Sequence, residues 1–136
     1  MFVLDASIAL AWCFRDEGGE ATDRVLDRLD REEAVVPAIW PFEVANGLRT
    51  AERRGRLDAA DTLRVRELLL ALPVSVEPAS LADAMGETAD LARHLDLTVY
   101  DAAYVALAAR RGIPLATADD RLRRAAIEIG VDVLGW

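Results

Sequence analysis

The chain has 136 residues, 53% hydrophobic and 29% charged, enough for one domain with its own core and too apolar for disorder. Its net charge of −8 sets 24 acids against 16 bases. Every base is arginine, and the lack of lysine excludes a P-loop NTPase, a Schiff-base enzyme and a lysine-dependent phosphoacceptor.

Phe2 to Leu4 reads as a buried strand and residues 7–14 as a short helix. Glu20 to Arg31 predicts a helix with Ala21, Val25 and Leu29 on one face, and with i,i+4 pairs Glu20/Arg24 and Asp27/Arg31 on the other. Residues 34–36 form a second strand, closed by Pro37. A long helix runs from Pro41 to about Arg54 and stops at Gly55. Asp58 to Asp61 opens the next helix, which carries Leu63, Leu69, Leu70 and Leu72. Residues 74–76 read as a strand. Ser80 to Asp83 starts a helix whose inner face is Leu81, Met85, Ala89, Ala92 and Leu95. Residues 101–111 are helical and end at Gly112, 115–117 are a strand, 119–129 a helix, and 131–134 a last strand. Strands alternating with amphipathic helices predict an α/β domain with a central, mainly parallel sheet of about four to five strands.

Cys13 is the only cysteine, so no internal disulfide forms and a reducing, cytoplasmic setting is expected. No apolar run approaches the roughly 20 residues that span a bilayer, so no membrane association is expected. No glycine-rich turn follows the first strand, where Asp5-Ala6-Ser7 stands instead, and this argues against a dinucleotide site. His94 is the only histidine, so a metal-free ribonuclease built on paired histidines is excluded.

Four acids stand out. Asp5 follows the apolar run 1–4, and Glu43 lies in the first turn behind Pro41. Asp101 interrupts the apolar stretch 97–106, and Asp119 follows the strand-like run 114–117. Ligands of open parallel sheets bind at the carboxyl ends of strands, which places Asp5 and Asp119 on one edge. Asn46, three residues beyond Glu43, shares its helix face. Several carboxylates in one cleft repel one another unless a cation compensates. Each acid also has a structural reading. Glu43 complements a helix dipole, Asp101 closes a cap with Thr98, Asp119 or Asp120 caps the last helix, and Asp5 bonds to Ser7 or a nearby N–H.

Val3-Leu4-Asp5-Ala6-Ser7, Glu43-Val44-Ala45-Asn46, Tyr100-Asp101-Ala102-Ala103-Tyr104 and Leu115-Ala116-Thr117-Ala118-Asp119 together resemble the motifs of the PIN-domain family, and within it the VapC type of toxin ribonuclease. The match runs in order from residue 3 to about 134. The resemblance implies a three-layer α/β/α fold, with residues 1–136 as one PIN domain. It further implies a Mg²⁺- or Mn²⁺-dependent endoribonuclease that hydrolyses RNA with a metal-activated water, a homodimer, and a cognate antitoxin that occludes the site. Catalytic and metal roles fall on Asp5, Glu43, Asp101 and Asp119. Supporting roles fall on Ser7, Asn46, Thr117 and, more weakly, Asp120.

Substrate phosphates would be met by arginines. The pool is Arg49, Arg53 and Arg56 at helical spacing beyond Glu43, Arg110 and Arg111 at the end of the Asp101 helix, and Arg121, Arg123 and Arg124 past Asp119. Arg49 and Arg53 are the candidates, and a solvated face is the alternative. Trp12, Trp40, Phe42 and the leucines of 63–72 serve the core, a dimer interface or an antitoxin groove. Two rival readings remain at this point. One is another metal-dependent phosphoryl-transfer enzyme, such as a DNA or flap-type nuclease or a phosphatase. A phosphatase with an aspartyl-phosphate would want an acid where Ser7 stands. The other is a non-catalytic partner-binding module.

Overall fold

The structure, a computed structural model, describes residues 1–134. Its centre is β1 (Phe2–Leu4), whose three side chains are fully buried. A strand covered on both faces reads as an unbroken apolar run, not an alternating one, which explains the opening of the sequence. β2 (Ala34–Pro37), β3 (Val74–Glu77), β4 (Leu115–Ala116) and β5 (Val133–Leu134) complete a sheet of five strands in the order β3-β2-β1-β4-β5. All four pairings are parallel. The chain therefore steps from β1 outward to β2 and β3, then crosses back to β4 on the other side of β1 and on to β5, and this reversal creates a crevice at the carboxyl ends of β1 and β4.

Eight α-helices flank the sheet among the described residues: α1 (Ala6–Cys13), α2 (Glu20–Arg28), α3 (Trp40–Arg53), α4 (Ala59–Leu70), α5 (Leu81–Asp83), α6 (Ala89–Leu95), α7 (Val99–Arg111) and α8 (Asp120–Glu128). Among these residues no helix is long and apolar enough to cross a membrane. Local chemistry sets the ends of α3 and α7. Pro41 sits in the first turn of α3, where a missing N–H costs nothing, and Gly55 follows with φ of +74°. Thr98 Oγ1 accepts from the Asp101 N–H at 3.1 Å to start α7, and Gly112, at φ of +64°, ends it. α7 packs on β1 and β2, and Ala102 and the run Tyr104 to Ala108 are buried. Its small alanines let the helix lie close to the sheet, so Asp101 at its start comes near the crevice.

The structure corrects several sequence expectations. The helix opened by Ser80 is not uniform, because a π-helical turn at Ala84–Thr88 joins α5 to α6. A π turn holds more residues than an α turn and rotates the phase of what precedes it. Leu81 and Met85 consequently face solvent at 77% and 72% exposure, while Thr88, Ala92 and Leu95 turn inward. α2 stops at Arg28, so Arg31 lies beyond it, and the ion pair that forms there is Arg28 to Glu32 at 2.5 Å. The Glu20–Arg24 pair sits at 4.0 Å between exposed side chains. α4 buries only Thr62 fully, which leaves Leu63 and Leu70 exposed. Between α3 and α4 runs an apolar groove of about 480 Å³ lined by Trp40, Val44, Leu48, Leu69 and Leu70. Trp40 is buried and Phe42 exposed. Trp12 donates its indole N–H to the Thr22 carbonyl at 2.8 Å. Cys13 donates to the Ala9 carbonyl, and burial pushes its thiol up to about 11, so it is an inert packing residue.

Candidate active site

Asp5 occupies the crevice. Its N–H donates to the Ala116 carbonyl at 2.9 Å, which extends the β1–β4 ladder by one bond and fixes where the side chain begins. The carboxylate is 6% exposed. Two hydroxyls hold the same oxygen: Ser7 Oγ donates to Asp5 Oδ2 at 2.5 Å, and Thr117 Oγ1 donates to it at 2.7 Å. Each hydroxyl is itself placed by backbone, since Ser7 Oγ accepts from the Ala118 N–H at 3.0 Å and Thr117 Oγ1 from the Asp119 N–H at 3.1 Å. This network ties the end of β1 to the loop after β4, and that loop carries the next acid.

The other three acids are each held by local partners. Asp119 Oδ1 accepts from the Arg121 and Leu122 N–H groups at 2.8 and 3.2 Å and so caps α8. Glu43, in the first turn of α3, accepts the Tyr104 hydroxyl on Oε1 at 2.9 Å. The Asp101 N–H donates to Thr98 Oγ1 at 3.1 Å, and the nearby Thr98 side chain favours the ionised Asp101 carboxyl. The structural readings of Asp101 and Asp119 are thus fulfilled, and the same residues also reach the crevice. Asp120 does not cap the helix. It pairs with Arg123 at 2.5 Å on the exposed face. Asn46 is exposed one turn beyond Glu43.

The charges of these acids act on one another. Burial lifts the Asp5 carboxyl above its ordinary value, the Ser7 and Thr117 hydroxyls offset part of this, and Asp101 and Asp119 push it further up. Glu43 is raised by burial, with the Tyr104 hydroxyl opposing and Asp5 and Asp101 adding to the rise. Asp101 is raised by burial and by Asp119, against Thr98 and the Arg121 guanidinium. Arg121 is therefore the cation felt in the crevice, although it also meets the Asp96 carboxylate at 3.6 Å. Arg49 instead lines the α3/α4 groove near Glu52, and Arg53 is exposed. Helical spacing alone could not distinguish these sides.

A pH effect follows from these directions. A carboxyl whose folded-state pKa lies above its unfolded one favours the fold while protonated. Its contribution is complete below the ordinary values of 3.8 and 4.5 and is lost as pH rises through the folded values. Glu32 and Glu77 are lowered by their cationic partners, so their contribution is already complete above 4.5. The metal-free protein should accordingly lose stability as pH climbs from 4.5 toward neutrality. Urea midpoints in the presence of a chelator will show this, and a flat or rising midpoint would contradict the assignment.

The donor set is all oxygen, which suits a hard divalent cation and not zinc. Among the described residues no three acidic, histidine or cysteine side chains form a ready-made metal cage. Like charges repel, and each acid is tied back by its own local partners. Mg²⁺ usually takes one or two carboxylates directly and keeps several waters, so four acids in one crevice need not all touch an ion.

A parallel five-stranded sheet with acids gathered at its switch point defines an α/β protein with an acidic crevice at the carboxyl ends of its strands. The chain belongs to the PIN domain family, whose pattern it matches over residues 2–128. It is 37% identical over 123 residues to the VapC ribonuclease Mb0985 of Mycobacterium bovis, covering 90% of this chain and 88% of that one. It is 33% identical over 120 residues to the ribonuclease VapC3 of Pyrobaculum aerophilum, covering 88% of this chain and 90% of the relative. Its fold is similar to that of PAE2754 from Pyrobaculum aerophilum, with a TM-score of 0.73 at 24% identity over 97% of this chain and 81% of the other. It is also similar to FitAcB from Neisseria gonorrhoeae, with a TM-score of 0.67 at 18% identity over 98% and 96%.

The sequence motifs named Asp5, Glu43, Asp101 and Asp119, and the structure brings them within electrostatic reach of one another. Tyr104 was given no role there, and Arg121 only that of one among several arginines that could meet substrate phosphate. For Tyr104 the one available signal was a polar tip in an alanine-rich helix, three residues beyond Asp101.

Proposed function

We propose that this chain is a single-domain, cytoplasmic, divalent-metal-dependent endoribonuclease, the toxin of a toxin–antitoxin pair. One observation supports this most. Three carboxylates, on Asp5, Glu43 and Asp101, are raised by burial and further by one another or by Asp119, and besides the hydroxyls that hold them Arg121 is the cation that opposes this. Such a set is arranged to receive positive charge. The VapC ribonuclease names of relatives that cover nearly the whole chain support the choice of RNA.

Mg²⁺ or Mn²⁺ would be held by Asp5 with Glu43, Asp101 and Asp119, directly or through water. When bound, such an ion polarises the scissile phosphate and acidifies an attacking water. The protein's part is positional. Ser7 and Thr117 occupy Asp5 Oδ2, so Oδ1 is the oxygen offered to the ion. Capping occupies Asp119 Oδ1, which leaves Oδ2 for the ion or its waters. The Asp101 carboxylate and the nearby Arg121 guanidinium provide a water-orienting anion and a phosphate-binding cation on one rim. With a net charge of −8, attraction for RNA comes from this local pairing of ion and arginine and not from the protein's overall field. A cognate antitoxin would occlude the crevice, and the protein would act as a homodimer.

The purified chain, given Mn²⁺ and offered RNA, single-stranded DNA or a small phosphate ester, should cut RNA only and stop when a chelator is added. Equal cleavage of DNA, or cleavage that survives the chelator, would overturn this reading.

A further inference from the structure

We propose that Tyr104 is a positioning residue that fixes the Glu43 carboxylate for the divalent ion. The inference rests on the metal-site reading above and extends it to a residue that contributes no ligand. Tyr104 is completely buried, and it is the largest fully buried side chain among the described residues. A buried phenol needs a hydrogen-bond partner, and this one has it in Glu43. The Ala6 backbone N–H faces its oxygen, and the hydroxyl donates to Glu43 Oε1 at 2.9 Å.

That arrangement has a direction. The phenol has one hydrogen, and the Ala6 N–H can only donate, so the hydroxyl hydrogen must go to Glu43. Ala6 directly follows Asp5, and Tyr104 lies one helical turn beyond Asp101. One side chain thus joins the end of β1, the first turn of α3 and the first turn of α7, the three places that carry Asp5, Glu43 and Asp101. Glu43 is half-buried on a flexible stem with several rotamers. Anchoring Oε1 removes most of that freedom and leaves Oε2 to face the ion. Asp5 and Asp101 both lie within electrostatic reach of this carboxylate, so its orientation decides whether three anions share one cation. An outer partner that orients a ligand typically changes metal affinity by about 10–100-fold.

The test is Tyr104→Phe, which removes one oxygen and keeps the ring in place. Calorimetric titration with Mn²⁺ should show affinity weakened by about 10–100-fold. The metal-free melting curve should stay cooperative. Cleavage of RNA should fall at low Mn²⁺ and recover at saturating Mn²⁺, because the chemistry itself is untouched. In a Glu43→Gln background, adding Tyr104→Phe should weaken Mn²⁺ binding no further, since the tyrosine acts through that carboxylate. An unchanged Mn²⁺ affinity in the single variant would overturn the proposal, as would full additivity in the double variant or a cleavage defect that no Mn²⁺ concentration repairs. A wild-type protein that neither binds Mn²⁺ nor cuts RNA would instead refute the underlying reading of the site.

Discussion

Asp5→Asn should reduce RNA cleavage by about 100-fold or more, beyond the 10–100-fold typical of an outer-shell partner, while the metal-free fold becomes more stable at neutral pH. The two halves of this result have one cause. Asp5 is 6% exposed and sits among Asp101, Asp119 and Glu43, so its ionised form is opposed by burial and by like charge. An amide of the same shape has no charge to bury. Its carbonyl oxygen can still accept from Ser7 or Thr117, so the link between β1 and the loop after β4 survives. The same neutrality removes the strongest attraction for a divalent ion. Thermal melts in chelator should place the variant above wild type at neutral pH. That difference should shrink as pH falls toward 3.8, where an aspartate carboxyl is ordinarily half protonated. A variant that cleaves at the wild-type rate, or that melts well below wild type at neutral pH, would show that Asp5 serves the fold and not the chemistry.

Much of the site was legible because its acids follow elements with clear local signals. Phe2 to Leu4 could only be a strand buried on both faces, and an acid directly after such a strand must lie at its carboxyl end. Pro41 and Thr98 fix the starts of α3 and α7, so Glu43 and Asp101 fall in first turns whatever the tertiary packing. What was not legible depends on contacts across long sequence separations or on rare geometry. The partner of Tyr104 lies 61 residues upstream, and its spacing along α7 looks like that of any core aromatic. Arg49 and Arg53 share the Glu43 helix, but which side of α3 meets α4 is a tertiary fact, and it draws Arg49 into the groove. The π turn at Ala84–Thr88 is marked by no proline and by the single glycine Gly86, which alone does not signal a change of period, so a 3.6-residue period misplaced Leu81 and Met85. Asp119 shows why the structural and functional readings were never exclusive. The end of a strand is also where the next helix begins, so one oxygen caps α8 while the carboxylate still acts on Asp5 and Asp101.

Adding Mg²⁺ or Mn²⁺ to the metal-free protein should raise its melting temperature by roughly 10 °C at a hundredfold excess over the dissociation constant. That excess is worth about 2.7 kcal/mol to the folded state, and a domain of this size gains a few degrees per kcal/mol. The unfolded chain separates residues 5, 43, 101 and 119 and offers no comparable site, so nearly all the binding energy appears as stability. The increment should grow with pH, because the ion binds ionised carboxylates and must displace the protons that burial and mutual repulsion retain on Asp5, Glu43 and Asp101. It should therefore run opposite to the stability of the metal-free protein, which falls over the same range. Asp5→Asn should lose most of the increment while starting from a higher metal-free melting temperature. A sodium salt at matched ionic strength separates specific binding from general screening, which also relieves repulsion among acids but shows no preference for a divalent ion. If saturating Mg²⁺ and Mn²⁺ shift the melt no more than sodium does, the carboxylates of the crevice do not form a metal site and the nuclease assignment fails with them.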